Sequence, residues 1–573
     1  MKAPMIQGSL SLGALLFVAS CASAPKPAPA TPSAPAPDAT AAVEPAMPAR
    51  QPPPKSAVAR DISFPEVHHV ALENGLTLEV VRQTQLPIVS MELVIQSGSA
   101  SDPAELPGTA SLLADMLKEG TKKKSSAQFA EAVEFLGAHL NTGAGQETLR
   151  ISMNSMSEHF DAALALVAEA ALTPLLDQKE LDKLKKRTLD DLTLKMDKPV
   201  WLARRELSKA LYGQHPYSRI DTNEKAVKKL KRTDLVAFHG AHFAPNNAFL
   251  VVVGDVTPEQ VKASAEKLFG KWAKKTVVEP VYAAPPSRTS REIIVVDRPA
   301  SVQSQIVIAN LALKRNDPNF IPLMVANQVL GGSAASRLFM DLREKRSLTY
   351  GAYSRLDETV DVGSIRASAA VRTQVTGDAM DGFYEHLNRI TREAPPQAEL
   401  EDAHRFLADS FPLQIETADR IAELVSDLRV YGLPDGYWDS FRSNIRKVDS
   451  RATLAAAQAY IHPSQDLVVV VGKAADVVPA LEKFGPVSVV DVNGNPLRSP
   501  AAVAAPAVAP AAPPAPPAPG PAVAPAPPSP PATPPALAPA PTAAPTPAAP
   551  AAPAPAAPAQ VAPAPAASTP AKP

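Results

Sequence analysis

The chain has 573 residues, and its 57 Lys and Arg nearly balance 58 Asp and Glu, for a net charge of −1. That balance argues against a nucleic-acid binder that works by bulk charge. Most of the 63 prolines fall in two flanking segments, residues 23–57 and 499–573, which leaves roughly residues 62–490 for two or more folded domains.

The amino terminus reads as an export signal. Lys2 supplies a positive start, and Leu10–Val18 is an apolar run too short to span a bilayer comfortably. The run leads into Val18-Ala19-Ser20-Cys21, which resembles the lipobox of bacterial lipoproteins. Cys21 is the only cysteine, so no internal disulfide forms. Its place ahead of an Ala/Pro-rich linker, residues 21–61, fits lipid attachment after removal of residues 1–20. Several acyl chains on one residue hold a protein to a membrane without a transmembrane helix. Ala22, not Asp, follows the cysteine. By analogy with lipoprotein sorting in Gram-negative bacteria, the expected location is the cell envelope, on the periplasmic face of the outer membrane.

Strand patterns follow at Leu76–Val81 and Val89–Gln96, after the turn signal Asn74-Gly75. Next comes Gly108-Thr109-Ala110-Ser111-Leu112-Leu113-Ala114-Asp115-Met116-Leu117-Lys118-Glu119-Gly120-Thr121. This stretch resembles the signature helix of the pitrilysin/insulinase-type zinc metallopeptidases. In that family a helix between Gly-x-Ala and Gly-Thr carries H-x-x-E-H, two zinc-binding His and a Glu that activates water. Here those three positions read Ser111, Ala114 and Asp115. Zinc needs about three well-placed protein ligands. A Ser and an Asp on one helical face are a poor set for it.

Helical periodicity marks Ala127–Leu136, His159–Leu172 and Gln178–Lys195, and Leu149, Ile151 and Met153 alternate as in a half-buried strand. The family resemblance implies a third ligand on a later helix, matched by Glu180 to Asp191, with Asp191 at the ligand position and Leu184 two turns earlier. A solvated helix face accounts better for these charges. His239 and His242 are the only His pair at i,i+3 spacing, but no H-x-x-E-H frame surrounds them, and they read as a surface pair at a helix end. His68 and His69 are adjacent in a strand and point to opposite faces.

An internal repeat divides the folded part. Ala241-His242-Phe243-Ala244-Pro245 leads into Phe249–Gly254, and Ala459-Tyr460-Ile461-His462-Pro463 leads into Leu467–Gly472, with the Pro and Gly pairs 218 residues apart. A repeat of this size indicates duplicated domains. The expected division is 62–275 and 290–490, joined by a Pro-rich linker at 276–289 and followed by an Ala/Pro-rich tail from 491. In the second half, Glu292–Val296 and Gln305–Leu311 read as strands, and Pro318–Val329 and Asp378–Ala394 as helices. The blocks predict an α+β fold, two homologous α/β sandwich domains with antiparallel sheets. This agrees with the family's shorter members.

Leu330-Gly331-Gly332-Ser333-Ala334-Ala335-Ser336-Arg337-Leu338-Phe339 precedes Leu342-Arg343-Glu344-Lys345-Arg346-Ser347-Leu348-Thr349-Tyr350-Gly351. These segments resemble the family's Gly-rich loop, helix and Arg/Tyr substrate pair. The resemblance implies that Arg343 and Tyr350, beside Gly331 and Gly332, bind the peptide backbone near the scissile bond. Arg337, Lys345 and Arg346 are left to packing or surface charge.

The expected function is therefore the non-metal, substrate-binding subunit of a heterodimeric metallopeptidase. This chain would bind no cofactor, and a homologous H-x-x-E-H chain would supply zinc. Peptide or unfolded protein would be the substrate, held by strand addition, and nucleic acid would have no part. The rivals are a peptide-binding or scaffold lipoprotein without catalysis, and a stand-alone hydrolase built on Asp115, Asp191 and a His that no position convincingly supplies.

Overall fold

The computed structural model describes residues 62–499. The export segment, Cys21, the linker up to residue 61 and the tail from residue 500 lie outside the described residues. The first half contributes β1 (His68–Ala71), β2 (Thr77–Arg82), β3 (Ile88–Ile95), β4 (His139–Ala144), β5 (Leu149–Met156) and β6 (Ala248–Gly254). The second contributes β7 (Glu292–Asp297), β8 (Gln303–Leu311), β9 (Thr349–Leu356), β10 (Ser364–Arg372), β11 (Leu467–Gly472), β12 (Val487–Val490) and β13 (Pro496–Arg498).

Two sheets result, ordered β1-β2-β6-β3-β5-β4 and β13-β12-β7-β11-β8-β10-β9. The order β2-β6-β3-β5-β4 in one repeats as β7-β11-β8-β10-β9 in the other, so the sequence repeat is a repeat of topology. Pairing is antiparallel except for β2 with β6, β7 with β11, and β7 with β12. Even the register is kept. Phe249 pairs with Val94 and Val94 with Arg150, as Leu467 pairs with Ala309 and Ala309 with Arg366. Every residue of β6 and β11 is buried, which explains their unbroken apolar runs. β4 never buries a residue, as befits an edge.

One face of the first sheet packs on helices of its own half, among them Thr109–Leu117, Phe160–Leu172 and Pro258–Phe269. Its other face, with Val81, Val94, Phe249, Val251 and Val253, is covered by Ala418–Val430, a helix of the second half. The exchange is reciprocal. Helix Pro199–Tyr212 of the first half lays Leu202, Ala203, Leu207 and Leu211 on Val296, Ala309, Val469 and Val471 of the second sheet.

Polar contacts lock the first exchange. Ser426 Oγ donates to Glu92 Oε2 at 2.5 Å, and Arg150 Nη1 donates to both oxygens of that carboxylate, at 3.1 and 3.2 Å. Arg429 Nε donates to buried Glu79 at 2.7 Å, and Glu79 also bonds His69. Between the halves, residues 272–288 form no helix or strand but pack down: Tyr282 stacks on His215, centroids 5.2 Å apart, and Arg288 donates to the carbonyl of Ala210.

One boundary needs correction. Residues 491–498, assigned by composition to the tail, belong to the fold, because β13 pairs antiparallel with β12. Composition sees Pro496 and Pro500 as the start of the tail and misses the three-residue strand that begins at Pro496. Among the described residues no helix is long and apolar enough to cross a membrane.

Leu207 is 1% exposed, so Leu207→Ala should cost about 3 kcal/mol. Because its helix braces the other half, hydrogen exchange at Val469 and Val471 should quicken. Unchanged protection in β11 would contradict the bracing role. Arg150→Met should cost about 3 kcal/mol in denaturant titration, since it leaves the buried Glu92 carboxylate without its counter-charge; a change within error would show that Ser426 alone suffices.

Candidate functional site

Helix Thr109–Leu117 is held at its start by a carboxylate. Asp102 Oδ2 accepts from the Gly108 amide at 2.6 Å, and Oδ1 from Ala110 at 2.8 Å. Burial pushes the Asp102 carboxyl up to about 6 despite these bonds. Gly108 has φ of 92°, and a Cβ there would lie 2.4 Å from Thr222 Cβ, so the frame requires glycine at this turn. Along the helix Ser111 is exposed, Ala114 is buried, and Asp115 is half-buried with its carboxylate 3.5 Å from Lys118 Nζ. The frame of a metal-binding helix is intact, and its ligand face holds one hydroxyl, one methyl and one paired carboxylate.

Helix Gln178–Met196 packs against this helix, but Asp191 is exposed and Leu184 is buried in the core. Among the described residues no group of three or more His, Cys, Asp or Glu gathers closely enough to hold a metal ion. The donor set here does not fit zinc. The His pair is divided between separate tasks. His239 bonds the carbonyl of Ala171 at 2.7 Å and stacks on Phe243, while His242 lies on Phe238. Burial lowers both imidazoles below their ordinary range.

In the second half, Gly331 ends helix Phe320–Gly331, and a Cβ on it would stand 2.3 Å from the Ser354 amide nitrogen in β9. A Cβ on Gly332 would stand 2.2 Å from Gln328 Oε1. Gly331 thus lets the helix end lie directly against edge strand β9, while Gly332 leaves room for Gln328 of its own helix. A groove of about 350 Å³ runs beside it, lined by Asn327, Gln328, both glycines and Tyr353.

The chain then passes through a turn of π-helix, Met340–Lys345, and Ser347 adopts φ of 53° before β9 begins. Arg337 is buried and paired with Glu399 at 2.7 Å, and Arg346 with Asp341 at 2.8 Å, in line with packing and charge roles. Arg343 sits on the π-turn with its guanidinium 3.3 Å from Glu344 and 4.8 Å from the centre of the Phe339 ring. Tyr350 is 89% exposed, at a register shift where β9 pairs with β10. Thr349 Oγ1 bonds the Ala370 carbonyl at 2.6 Å and ties down the bulge. Arg343 and Tyr350 therefore share one short segment and are both open to solvent, but no hydrogen bond joins them.

A cavity of about 610 Å³ between the halves escaped sequence reasoning. It is lined by Arg150, Arg204, Arg315, Arg355, Arg366 and Arg420, each drawn from a different segment. The one available signal was Arg355 and Arg366, charges inside otherwise half-buried strands.

Comparison with known proteins agrees with this geometry. The family description "Insulinase (Peptidase family M16)" matches residues 79–223, and "Peptidase M16 inactive domain" matches residues 229–407. A relative from Bacillus subtilis (strain 168), "Uncharacterized zinc protease YmxG", is 24% identical over 349 residues, 61% of this chain and 84% of that protein. "Non-peptidase homolog YmxG" of Helicobacter pylori is 25% identical over 391 residues, 65% of this chain and 89% of the relative. Among solved structures, a peptidase M16 inactive domain from Pseudomonas fluorescens superposes with a TM-score of 0.66 at 28% identity, covering 71% of this chain and 98% of that one. A protease from Helicobacter pylori shares the fold, with a TM-score of 0.68 at 19% identity over 71% of this chain and all of its own. With matching family descriptions over both halves and a signature helix in which Ser111, Ala114 and Asp115 replace the metal-binding set, the chain belongs to the insulinase family of peptidases as an inactive-type member.

Proposed function

We propose that this chain is the non-metal, substrate-binding subunit of a two-chain metallopeptidase of the bacterial cell envelope. The observation that carries the reading is the contrast between its two halves. The signature helix keeps its frame without ligands, while Arg343 and Tyr350 stand solvent-open at the head of an edge strand. In this reading a homologous H-x-x-E-H chain supplies zinc and the general base. The phenol and guanidinium donate hydrogen bonds to the scissile carbonyl oxygen as it gains negative charge. The free edge of β9 offers backbone donors and acceptors to an extended peptide. Lipid on Cys21 would hold the pair at the membrane.

A second reading, a non-catalytic peptide-binding or scaffold lipoprotein, draws support from two observations. One relative is named a non-peptidase homolog, and Gly331 and Gly332 have a packing role sufficient to explain them. Kinetics of the reconstituted pair separates the two.

Tyr350→Phe removes one hydroxyl from a residue that packs on little, so assembly with the zinc-bearing chain should persist on co-elution while kcat falls about a hundredfold. Arg343→Ala should chiefly raise KM. Normal assembly with unaltered cleavage by both variants would leave the scaffold reading standing. The chain alone, dialysed after exposure to zinc, should retain far less than one equivalent and cleave no peptide. Stoichiometric zinc with chelator-sensitive proteolysis would refute the division of labour. Mass spectrometry of the mature amino terminus should find acylated Cys21, and an unmodified cysteine would remove the anchor.

A further inference from the structure

The cavity between the halves holds a charge imbalance on one wall. Arg355 in β9 and Arg366 in β10 are direct register partners, so their side chains share a face of the sheet. Like charges directly opposite on neighbouring strands repel. Arg204, on the exchanged helix Pro199–Tyr212, lines the same cavity. Burial and the charges of Arg366 and Arg355 disfavour its charged form.

Few carboxylates answer these three guanidinium groups. Asp357 pairs with Arg366 and also accepts from Ser364. Asp221, the other acid that acts on Arg204, is itself bonded to Lys195 at 2.5 Å. Among the described residues Arg204 and Arg355 make no ion pair within 4 Å, and the buried Nε of Arg366 has no hydrogen-bond partner. The opposite wall offers no compensation. Arg315 is matched by Glu358 at 2.8 Å, Arg150 by Glu92, and Arg420 by Glu423. Burial pushes the Asp427 carboxyl up to about 7, with Glu358 and Glu423 adding to the rise and Arg150 and Arg315 opposing it, and its charge is directed to those two arginines.

The duplicated half shows that the imbalance is particular to this wall. Arg150 occupies in the first sheet the register position that Arg366 occupies in the second. Across from Arg150 stands Gly143, not a second arginine, and Glu92 neutralises it.

We propose that Arg204, Arg355 and Arg366 form an anion site on the wall of this cavity that takes one compact dianion, a phosphate or a small dicarboxylate. Guanidinium forks bind such oxygens in pairs, and the cavity is of the size that holds small molecules. Arg204 and Arg355 remain open to the solvent from which the ion would come. The proposal is separate from the peptidase reading, since its readout needs no partner chain.

The test is calorimetry and thermal unfolding of the purified chain with inorganic phosphate or with malonate, each against chloride at matched ionic strength. At least one dianion should bind saturably and raise Tm. Phosphate alone would mark a tetrahedral oxyanion as the ligand, and malonate alone a carboxylate. R355Q and R204Q should each weaken binding at least tenfold. Ligand-free R355Q should melt no lower than the unmutated chain, because it removes a repulsive neighbour; this separates lost binding from lost folding. Binding of neither dianion, undiminished binding by both variants, or a lower Tm for ligand-free R355Q would overturn the site.

Discussion

Each sheet in this protein has two apolar faces, and its own half covers only one of them. The central strands β6 and β11 bury every residue, so neither face tolerates water. The missing cover comes from the other half in both cases, through Ala418–Val430 and Pro199–Tyr212. This exchange joins two duplicated sandwiches into a single body. It also explains why the buried carboxylates Glu79 and Glu92 lie on strands of one half and find Arg429 and Ser426 on a helix of the other. The polar contacts fix the seating of a helix that apolar burial alone would let slide.

The same exchange sets where chemistry can occur. With the faces sealed, the sheet edges and the cavity between the halves stay open among the described residues. Edge strand β9 displays Tyr350 at a bulge, and Gly331 brings a helix end close enough to support that strand without covering its free side. The π-turn and the positive φ of Ser347 set the approach of the chain to β9. Departures from regular geometry of this kind often accompany functional segments. The first half, in contrast, keeps the Asp102 cap and the Gly108 turn of a metal-binding helix whose ligand positions have become ordinary surface and core.

Much of this was legible in the residues. Apolar runs and their periods located β2, β3, β7, β8 and five of the helices to within a few positions, because single-face burial writes itself directly into sequence, but the two exchanged helices Pro199–Tyr212 and Ala418–Val430 were not read from it. The repeat was visible in the paired valine runs. The motif frame around Ser111 and the segment from Gly331 to Tyr350 stood out because they are contiguous. What stayed hidden was non-local. Nothing in Leu202, Leu207 and Leu211 says that their helix packs on strands as far downstream as Leu467–Gly472; an apolar stripe states that it is buried, not where. The arginine wall was hidden for the same reason, since Arg204, Arg355 and Arg366 meet only after the exchange. The parallel pairings of β2 with β6 and β7 with β11 likewise depend on long crossovers that local pattern does not reveal.

The order in which the chain is made gives the helix exchange a further meaning. All strands of the first sheet exist once residue 254 has been synthesised, yet the cover for one of its faces lies at Ala418–Val430. The first half therefore waits, with Val81, Val94, Phe249, Val251 and Val253 uncovered, for most of the second half to be translated. Such a face is a natural target for a chaperone, and it remains one for as long as the chain is unfinished.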